Sequence, residues 1–395
     1  MSEILGTIRD IDWSVYKKEA KIVGRTIFDD KKDIIFHNED DYLNLKGEHK
    51  KKIEYFLENP NESSANELFK FIGAMHKKEN LFVNFMDDLS LYEKSFKEII
   101  PSHREHFLHS ASVYVLGLSI YNSCGLVREA LTISRHDNKD IHNQKSSFLF
   151  RWALTACLHD IAYPLELSLK SFKNYSSKFH KKGEENNFLR IKEEIYKDLN
   201  LLPIVKPRKD LEHIQKDTAI GLIVNRLTNH KLLNKKPTIT YNTLLEIMIR
   251  YIDNLLQSGT IDHGIFSSLV TLKLVHELYK NNPDYDIKHF YYEIVDSSTA
   301  IFLHNSYRYS QLKQIYGDGE YLYDFPSPLG YLLCLSDTMC EWLRDNDDKP
   351  TDDSNLFRIA FNNKEINFTI PADQYNKLKK DLNLFDKRID IILEQ

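Results

Sequence analysis

One set of histidines and aspartates recurs near the ends of apolar segments in this 395-residue chain: His109, His159, Asp160, His263, His304 and Asp337. Imidazole and carboxylate ligands together suit Mn, Fe, Ni, Co or Zn, and also Mg where the imidazoles are fewer. A carboxylate beside a histidine can bridge two ions, and two ions about 3.5–4 Å apart can act together in a displacement at phosphorus. The set therefore predicts a site for one or two divalent metal ions.

The stretch FLFRWALTACLHDIAYP, residues 148–164, predicts an apolar helix that carries His159 and Asp160 in its last turn. A carboxylate buried there has to be paired or bound to a metal, because an isolated charge is costly to remove from water. The predicted helix ends where Tyr163 meets Pro164, since the residue before a proline is pushed out of the α region.

The elements around these residues are predicted to be mainly α-helical. Gly (13) and Pro (11) are scarce, and long amphipathic runs favour helices over a barrel or sandwich. Ser327 followed by Pro328 is a strong helix start, with a capping side chain and a proline at the first helical position. Residues 356–370 predict a β-hairpin around Asn362 and Asn363, followed by a last helix over about 372–393.

We predict three parts in the chain: a mixed N-terminal appendage (1–60), a helical catalytic domain (61–345) and a C-terminal hairpin-plus-helix appendage (346–395). The segment 168–210 reads as an insertion with eleven Lys and Arg against six Asp and Glu, which leaves a local charge of +5. It is either a solvated helical hairpin or a basic flap over an anionic substrate.

Bulk composition narrows the class of protein. The net charge of −5 argues against a general electrostatic nucleic-acid binder, although a basic track in 168–210 keeps a nuclease open. The four cysteines lie in apolar patterns without a C-x-x-C pair, which predicts reduced core residues in a cytoplasmic protein. We expect no secretion signal and no membrane span, and a homo-oligomer is possible.

The order His109, then His159-Asp160, then Asp337 resembles the HD superfamily of metal-dependent phosphohydrolases. The segments LHSASVYVLG, CLHDIAYP and LLCLSDTMCEWLR are similar to the family's first-histidine helix, signature helix and closing aspartate helix. The resemblance covers about residues 101–345 and implies an HD-domain helical bundle.

The same resemblance implies roles for individual residues. His109, His159, Asp160 and Asp337 would hold a first ion. His263 and His304 occupy places where two-metal branches of the family carry second-metal histidines, with Asp160 as the bridge. Two further residues precede His109 on its helix: Arg104 to bind a phosphate and His106 to protonate the leaving oxygen, unless both only solvate the helix start. Asp296, Asn305 and Arg308 are candidates to orient His304 through its second ring nitrogen.

Together with the predicted metal site, the resemblance implies a phosphohydrolase or phosphodiesterase that attacks a nucleotide or cyclic nucleotide through a metal-bound hydroxide. Ile161-Ala162-Tyr163 follows the dipeptide where many members have Ile-Gly-Lys, and no GYP element is found, so a cyclic-di-GMP phosphodiesterase is disfavoured. Two alternatives keep the fold. One is a di-iron oxygenase, and the other is a degenerate module that senses a nucleotide and docks a partner.

Overall fold

Helices dominate the part of the chain that the structure describes, as the scarcity of Gly and Pro predicts. The computed structural model describes residues 39–75, 86–95, 106–124, 126–127, 130–131, 148–176, 185–200, 218–228, 239–258, 261–279, 294–306, 327–340, 358–361, 365–369 and 390–394. The chain divides into a first unit of residues 1–132, 320–322 and 335–395, and a second unit of residues 133–319 and 323–334. A mainly α fold is confirmed.

The first unit contains the helices Glu39–Glu58 (α1), Glu62–Met75 (α2) and His106–Ser123 (α3). Helix α1 packs against α2, and α2 packs against α3. Phe69 of α2 and Phe107 of α3 meet edge to face with their ring centroids 4.9 Å apart. Helix α1 falls within the predicted N-terminal appendage, whose residues 1–38 lie outside the described residues.

The buried carboxylate of Glu93 caps the N-terminus of α3. The backbone N–H groups of His106 and Phe107 donate to its two oxygens at 2.6 and 2.9 Å. The Nδ1 atom of His106 also lies 3.1 Å from Oε1 of Glu93. An anion in this position is stabilised by the helix dipole and by backbone donors that have no partner within the helix.

The second unit is built from seven helices in the described ranges and the start of an eighth. They are Phe148–Leu158 (α4), Tyr163–Ser176 (α5), Glu185–Asn200 (α6), Ala219–Thr228 (α7), Tyr241–Ser258 (α8), His263–Tyr279 (α9), Val295–Ser306 (α10) and Pro328–Met339 (α11), the last of which crosses the unit boundary at residue 335. Helix α9 packs against α4, α5, α6, α7 and α10. Its side chains Ile265, Phe266, Leu269 and Leu272 are buried, as expected of a helix that has neighbours on several sides.

The start of α11 follows the predicted capping pattern. The backbone N–H of Gly330 donates to Oγ of Ser327 at 3.0 Å, and the helix begins at Pro328. The side chain of Ser327 thus satisfies one of the backbone donors that the first turn leaves without a helical partner. This helix start is confirmed.

A buried ion network ties α4, α7 and α10 together. Nη1 of Arg151 donates to Oδ2 of Asp296 at 2.9 Å, while Nε and Nη2 of Arg226 reach Oδ1 at 3.0 and 2.9 Å. Arg151 and Asp296 each stand eight residues before a histidine, His159 and His304. Because eight helical residues span about 12 Å, the network sets the register of α4 and α10 two turns away from those histidines.

The predicted basic insertion contributes to the packed second unit. Its helix α6 packs against α8 and α9, and Nζ of Lys273 on α9 reaches Oδ2 of Asp198 at 2.6 Å. The Oδ1 atom of Asn200 accepts the backbone N–H of Ile220 at 3.0 Å, which joins the end of α6 to the start of α7. Residues 177–184 and 201–210 lie outside the described residues.

Three strands follow in the first unit: Arg358–Phe361 (β1), Glu365–Thr369 (β2) and Asp390–Glu394 (β3). Strand β1 pairs antiparallel with β2, and β2 pairs parallel with β3 in the register Glu365↔Asp390. Most of the predicted last helix, residues 372–389, lies outside the described residues, and β3 occupies its end. The predicted hairpin plus helix is therefore not confirmed. The β3 sequence DIILE contains two adjacent isoleucines, which suit a pleated strand better than a helix.

Two further predictions concern the whole chain. Cys124, Cys157, Cys334 and Cys340 are free and buried, as their apolar sequence contexts predict. None of the helices in the described ranges is both long and apolar enough to cross a bilayer.

Replacing Asp296 by Ala should lower the free energy of unfolding by about 3–5 kcal/mol, because it leaves two largely buried guanidinium groups without their carboxylate. Denaturant unfolding followed by circular dichroism measures this loss. Glu246→Ala is a matched control, since that exposed carboxylate pairs with Arg250 one turn away on the same helix. The control should change stability by about 0.5 kcal/mol or less. Equal losses in both variants would show that the buried network does not stabilise the unit.

Candidate metal centre

The His159-Asp160 dipeptide lies in a turn between two helices. Helix α4 ends at Leu158, residues 159–162 form the turn, and α5 begins at Tyr163. The prediction that a single helix extends to Pro164 was therefore wrong, because a turn and the start of a second helix lie within the predicted range. Proline is tolerated in the first turn of a helix because its missing N–H has no helical partner there, so Pro164 belongs to the start of α5.

The turn is fixed to α9 by a side chain. The backbone N–H of Ala162 donates to Oγ of the buried Ser267 at 3.0 Å, and the N–H of Tyr163 donates to the carbonyl of Asp160 at 2.8 Å. These bonds give the buried N–H groups of the turn hydrogen-bond acceptors. Without such acceptors, their removal from water would cost free energy. The position of Asp160 is thus set by α9 as well as by α4 and α5.

Two histidines are oriented by carbonyl groups of their own helical segments. Nδ1 of His159 lies 2.8 Å from the carbonyl of Ala156, and Nδ1 of His304 lies 2.5 Å from the carbonyl of Ile301. A carbonyl oxygen can only accept, so Nδ1 carries the hydrogen in both rings. In the neutral form of each ring, Nε2 then presents a lone pair.

His263 is oriented by a carboxylate. It is the first residue of α9, and its Nδ1 lies 2.9 Å from Oε2 of Glu166 on α5. Asp262 before it is the N-cap, since Oδ1 accepts the N–H of Ile265 at 3.2 Å. The hydroxyl of Tyr251 donates to the other oxygen of Asp262 at 3.2 Å. The helix start and the imidazole are therefore held by two separate carboxylates.

The Nε2 atoms of His159, His263 and His304 converge on the carboxylate of Asp160, and we call these four residues the Asp160 cluster. Nε2 of His159 lies 3.3 Å from Oδ2 of Asp160, whereas Nε2 of His263 and of His304 lie 3.5 and 3.7 Å from Oδ1. The rings of His159 and His304 are edge to face at 5.3 Å, and those of His263 and His304 lie 5.4 Å apart.

These nitrogen–oxygen distances are typical of ligand atoms that share a metal ion, and they are too long for direct hydrogen bonds between the imidazoles and the carboxylate. Nitrogen–oxygen hydrogen bonds are about 2.7–3.2 Å long, whereas two ligands each about 2.1 Å from an ion at a tetrahedral angle lie about 3.4 Å apart. One ligand atom from each of Asp160, His263 and His304 lies within 4.8 Å of the others. Among the described residues, the buried Nε2 of His304 has no hydrogen-bond partner. The cluster therefore fits a divalent metal ion.

The protonation of His263 reflects its neighbours. Burial lowers its pKa, but the hydrogen bond to Glu166 and the charges of Asp160, Asp262 and Glu166 together raise that pKa to about 9. In the metal-free protein this ring is consequently protonated at neutral pH. A metal ion has to displace that proton from Nε2 before it can bind there.

The remaining predicted residues belong to the first unit or lie outside the described ranges. His109 and Asp337 belong to the first unit, where Nε2 of His109 lies 2.7 Å from Oδ1 of Asp337. His106, predicted as a proton donor, is buried beside Glu93. Arg104, the predicted phosphate contact, lies outside the described residues.

Asp296, one of the predicted partners of His304, has other partners in the structure. The carboxylate of Asp296 binds Arg151 and Arg226, and Nδ1 of His304 contacts a backbone carbonyl instead. Arg308 lies outside the described residues. In contrast, Glu166 was absent from the predictions. Its one local signal is an acidic residue in the first turn of a helix, which is too common to mark a site.

Comparison with known proteins does not place the chain in a family. No family model, no curated protein and no solved structure matches it.

Gly264 lies against the ring of His304 and allows α9 to approach it. A Cβ atom at this position would lie 2.9 Å from Cε1 and 3.1 Å from Nδ1 of His304. Such contacts are closer than van der Waals separation, and His304 is buried and fixed by its hydrogen bond. Glycine is thus required here by the packing of α9 against the imidazole.

Gly264→Ala should weaken the binding of Co²⁺ by about tenfold or more, because the ring of His304 has to move away from Asp160. Displacement of a single ligand or its support commonly costs this much affinity. Competition with a coloured chelator gives the dissociation constant. Unchanged affinity in a folded variant would show that the ring is free to adjust.

The affinity for Co²⁺ should rise with pH up to about pH 9, because the His263 proton is bound below its pKa and released on metal binding. The expected slope is about tenfold per pH unit for one proton between about pH 7 and pH 9. Chelator competition across this range measures it. His263→Gln should flatten the slope, and a flat profile in the unaltered protein would contradict the assignment.

Proposed function

We propose that the chain is a metal-dependent phosphoric ester hydrolase that acts on a nucleotide or cyclic nucleotide and binds its metal at the Asp160 cluster. The observation that carries the proposal is the convergence of the Nε2 atoms of His159, His263 and His304 on one buried carboxylate. Histidine and aspartate in this proportion are ligands for Mn, Fe, Co, Ni or Zn, and Mg is less favoured because imidazole is a poor ligand for it.

The two carboxylate oxygens of Asp160 face different imidazoles, which supports a binuclear centre. Oδ2 faces His159, whereas Oδ1 faces His263 and His304. A carboxylate whose two oxygens face different imidazoles is placed to bridge two ions. His263 and His304 would then hold the ion on the Oδ1 side, and His159 would serve the ion on the Oδ2 side.

His109 and Asp337 are the remaining ligands that the family resemblance assigns to the first ion. Within the first unit they lie in contact at 2.7 Å, and Asp337 is partly exposed. Their part in the same ion stays a prediction. Asp337→Asn with a count of bound ions tests it, since loss of one ion of two would assign Asp337 to the site.

Divalent ions bound at such a site lower the pKa of water and polarise a phosphoryl oxygen, which is the chemistry that ester hydrolysis requires. The protein's own residues hold the ligands in place. The carbonyls of Ala156 and Ile301 and the carboxylate of Glu166 fix the Nδ1 sides of the rings. Every Nε2 is thereby kept toward Asp160.

A phosphate-bearing substrate is supported by charge as well as by ligand type. The segment 168–210 carries a local charge of +5 in a chain with a net charge of −5. Anionic substrates are attracted to such a concentration of positive charge. The nucleotide part of the substrate rests on the resemblance to HD phosphohydrolases.

Asp160→Asn should abolish metal binding and hydrolysis, because the amide removes the charge that both sets of histidines face. Metal content of the purified protein and release of phosphate from dNTPs, cyclic mononucleotides and cyclic dinucleotides are the measurements. Asp253→Asn is a matched control on α8. Its substitution should leave both the metal content and the turnover unchanged.

The outcomes separate the alternatives. Hydrolysis by the Asp160→Asn variant at the rate of the unaltered protein would overturn the proposal. Consumption of dioxygen by the iron-loaded protein without phosphate release would instead identify an oxygenase. Nucleotide binding without metal and without turnover would identify a sensing module.

A further inference from the structure

Glu166 contacts His263 twice through the same oxygen. Oε2 accepts the ring Nδ1–H of His263 at 2.9 Å and its backbone N–H at 3.2 Å. The side chain of Glu166 is partly buried, with 27% of its surface exposed. Because one acceptor binds both the backbone and the ring, it restricts the backbone position and the ring rotation of His263 together.

The position of His263 in its helix explains why it needs an anchor from another element. His159 directly follows α4, and His304 lies in the second half of α10. A backbone carbonyl three residues earlier is therefore available to each ring. His263 is the first residue of α9, and such a carbonyl of its own helix does not exist before a helix start. Helix α5, which begins just after the Asp160 turn, supplies Glu166 instead.

A carboxylate anchor also differs from a carbonyl anchor in charge. It accepts a stronger hydrogen bond and leaves more electron density on the opposite ring nitrogen, which makes Nε2 a better metal ligand. The anion is further stabilised at the N-terminus of α9, where the helix dipole is positive. The N-cap Asp262 faces the same helix start but bonds to Ile265 and Tyr251.

We propose that Glu166 is a positioning residue of the metal centre: it fixes the tautomer and direction of His263 and strengthens Nε2 as a ligand on the Oδ1 side of Asp160. The inference rests on the proposed metal site, and it assigns a role to a residue outside the predicted ligand set. It does not depend on which ester is hydrolysed.

Two substitutions distinguish the effect of the hydrogen bond that positions His263 from the effect of the negative charge of Glu166. Glu166→Gln keeps an oxygen that can accept from His263 but removes the negative charge, whereas Glu166→Ala removes both. We expect about 10–100-fold weaker Co²⁺ binding for Glu166→Gln and a larger loss for Glu166→Ala. Chelator competition gives the affinities, and the visible absorption of bound Co²⁺ reports any change in its ligand field.

Glu246→Gln is the control, because this exposed carboxylate lies on α8 and pairs with Arg250. It should bind Co²⁺ with unchanged affinity and the same visible spectrum. Circular dichroism of every variant measures whether the helical content is retained. A loss of affinity in a variant of normal helicity therefore reports on the site.

The outcomes are distinct for the inference and for the proposed function. Unchanged Co²⁺ affinity and spectrum in both Glu166 variants would overturn the role of Glu166 and leave the proposed function standing. Failure of the unaltered protein to bind Co²⁺, Mn²⁺, Fe²⁺ or Zn²⁺ would overturn both. Weaker binding by Glu166 variants in a protein without phosphoesterase activity would support Glu166 and overturn the hydrolase.

Discussion

A single carboxylate, that of Asp160, constrains the arrangement of the second unit. It is only 5% exposed, and ionised groups are rarely buried to that extent without a partner of opposite charge. Around it stand three imidazoles whose Nδ1 atoms are already engaged with two carbonyls and a carboxylate. Protonation of His263, whose pKa is raised to about 9, supplies one compensating positive charge in the metal-free state. A divalent cation would compensate the carboxylate more fully and would use the remaining lone pairs as ligands.

The anchors of the imidazoles show how a helical scaffold makes such a site rigid. Helix ends leave backbone carbonyls with spare acceptor capacity, and a histidine three residues later can use that capacity to orient its own ring. His159 is oriented in this way by Ala156 in the last turn of α4, whereas His304 uses the second lone pair of the Ile301 carbonyl inside α10. Helix starts offer N–H groups instead, so the ring of His263 depends on a carboxylate brought by α5. The chemistry of helix termini thus decides which kind of anchor His159 and His263 have.

The rest of the unit keeps these termini together. Helix α9 contributes Ser267 to hold the Asp160 turn, Gly264 to admit the His304 ring, and His263 itself. Two turns away, the Arg151–Asp296–Arg226 network sets the register of α4 and α10. Rigid support of this kind matters for a metal site because ligand atoms have to be held close to their binding geometry before the ion arrives.

Local sequence patterns predicted many of the helices and indicated the four residues that form the Asp160 cluster. Helical periodicity and capping act within about four residues, so the α11 start at Ser327-Pro328 could be predicted from the sequence. The same range of interaction explains the error at Pro164, since a proline ends one helix or begins the next with the same local signal. At the C-terminus, β3 is a strand because it pairs with β2, and the amphipathic pattern of residues 372–393 contains no information about that partner.

Only the tertiary structure decided how the cluster is held. Glu166 and His263 are 97 residues apart, Ala162 and Ser267 are 105 apart, and Arg151 and Asp296 are 145 apart. No rule of local spacing relates such pairs, because they meet through the packing of α9 and α10 against α4 and α5. The division of the Asp160 oxygens among the imidazoles follows from that packing as well. The sequence determined which ligands are present, and the packing of helix ends determined which atoms of those ligands face one another.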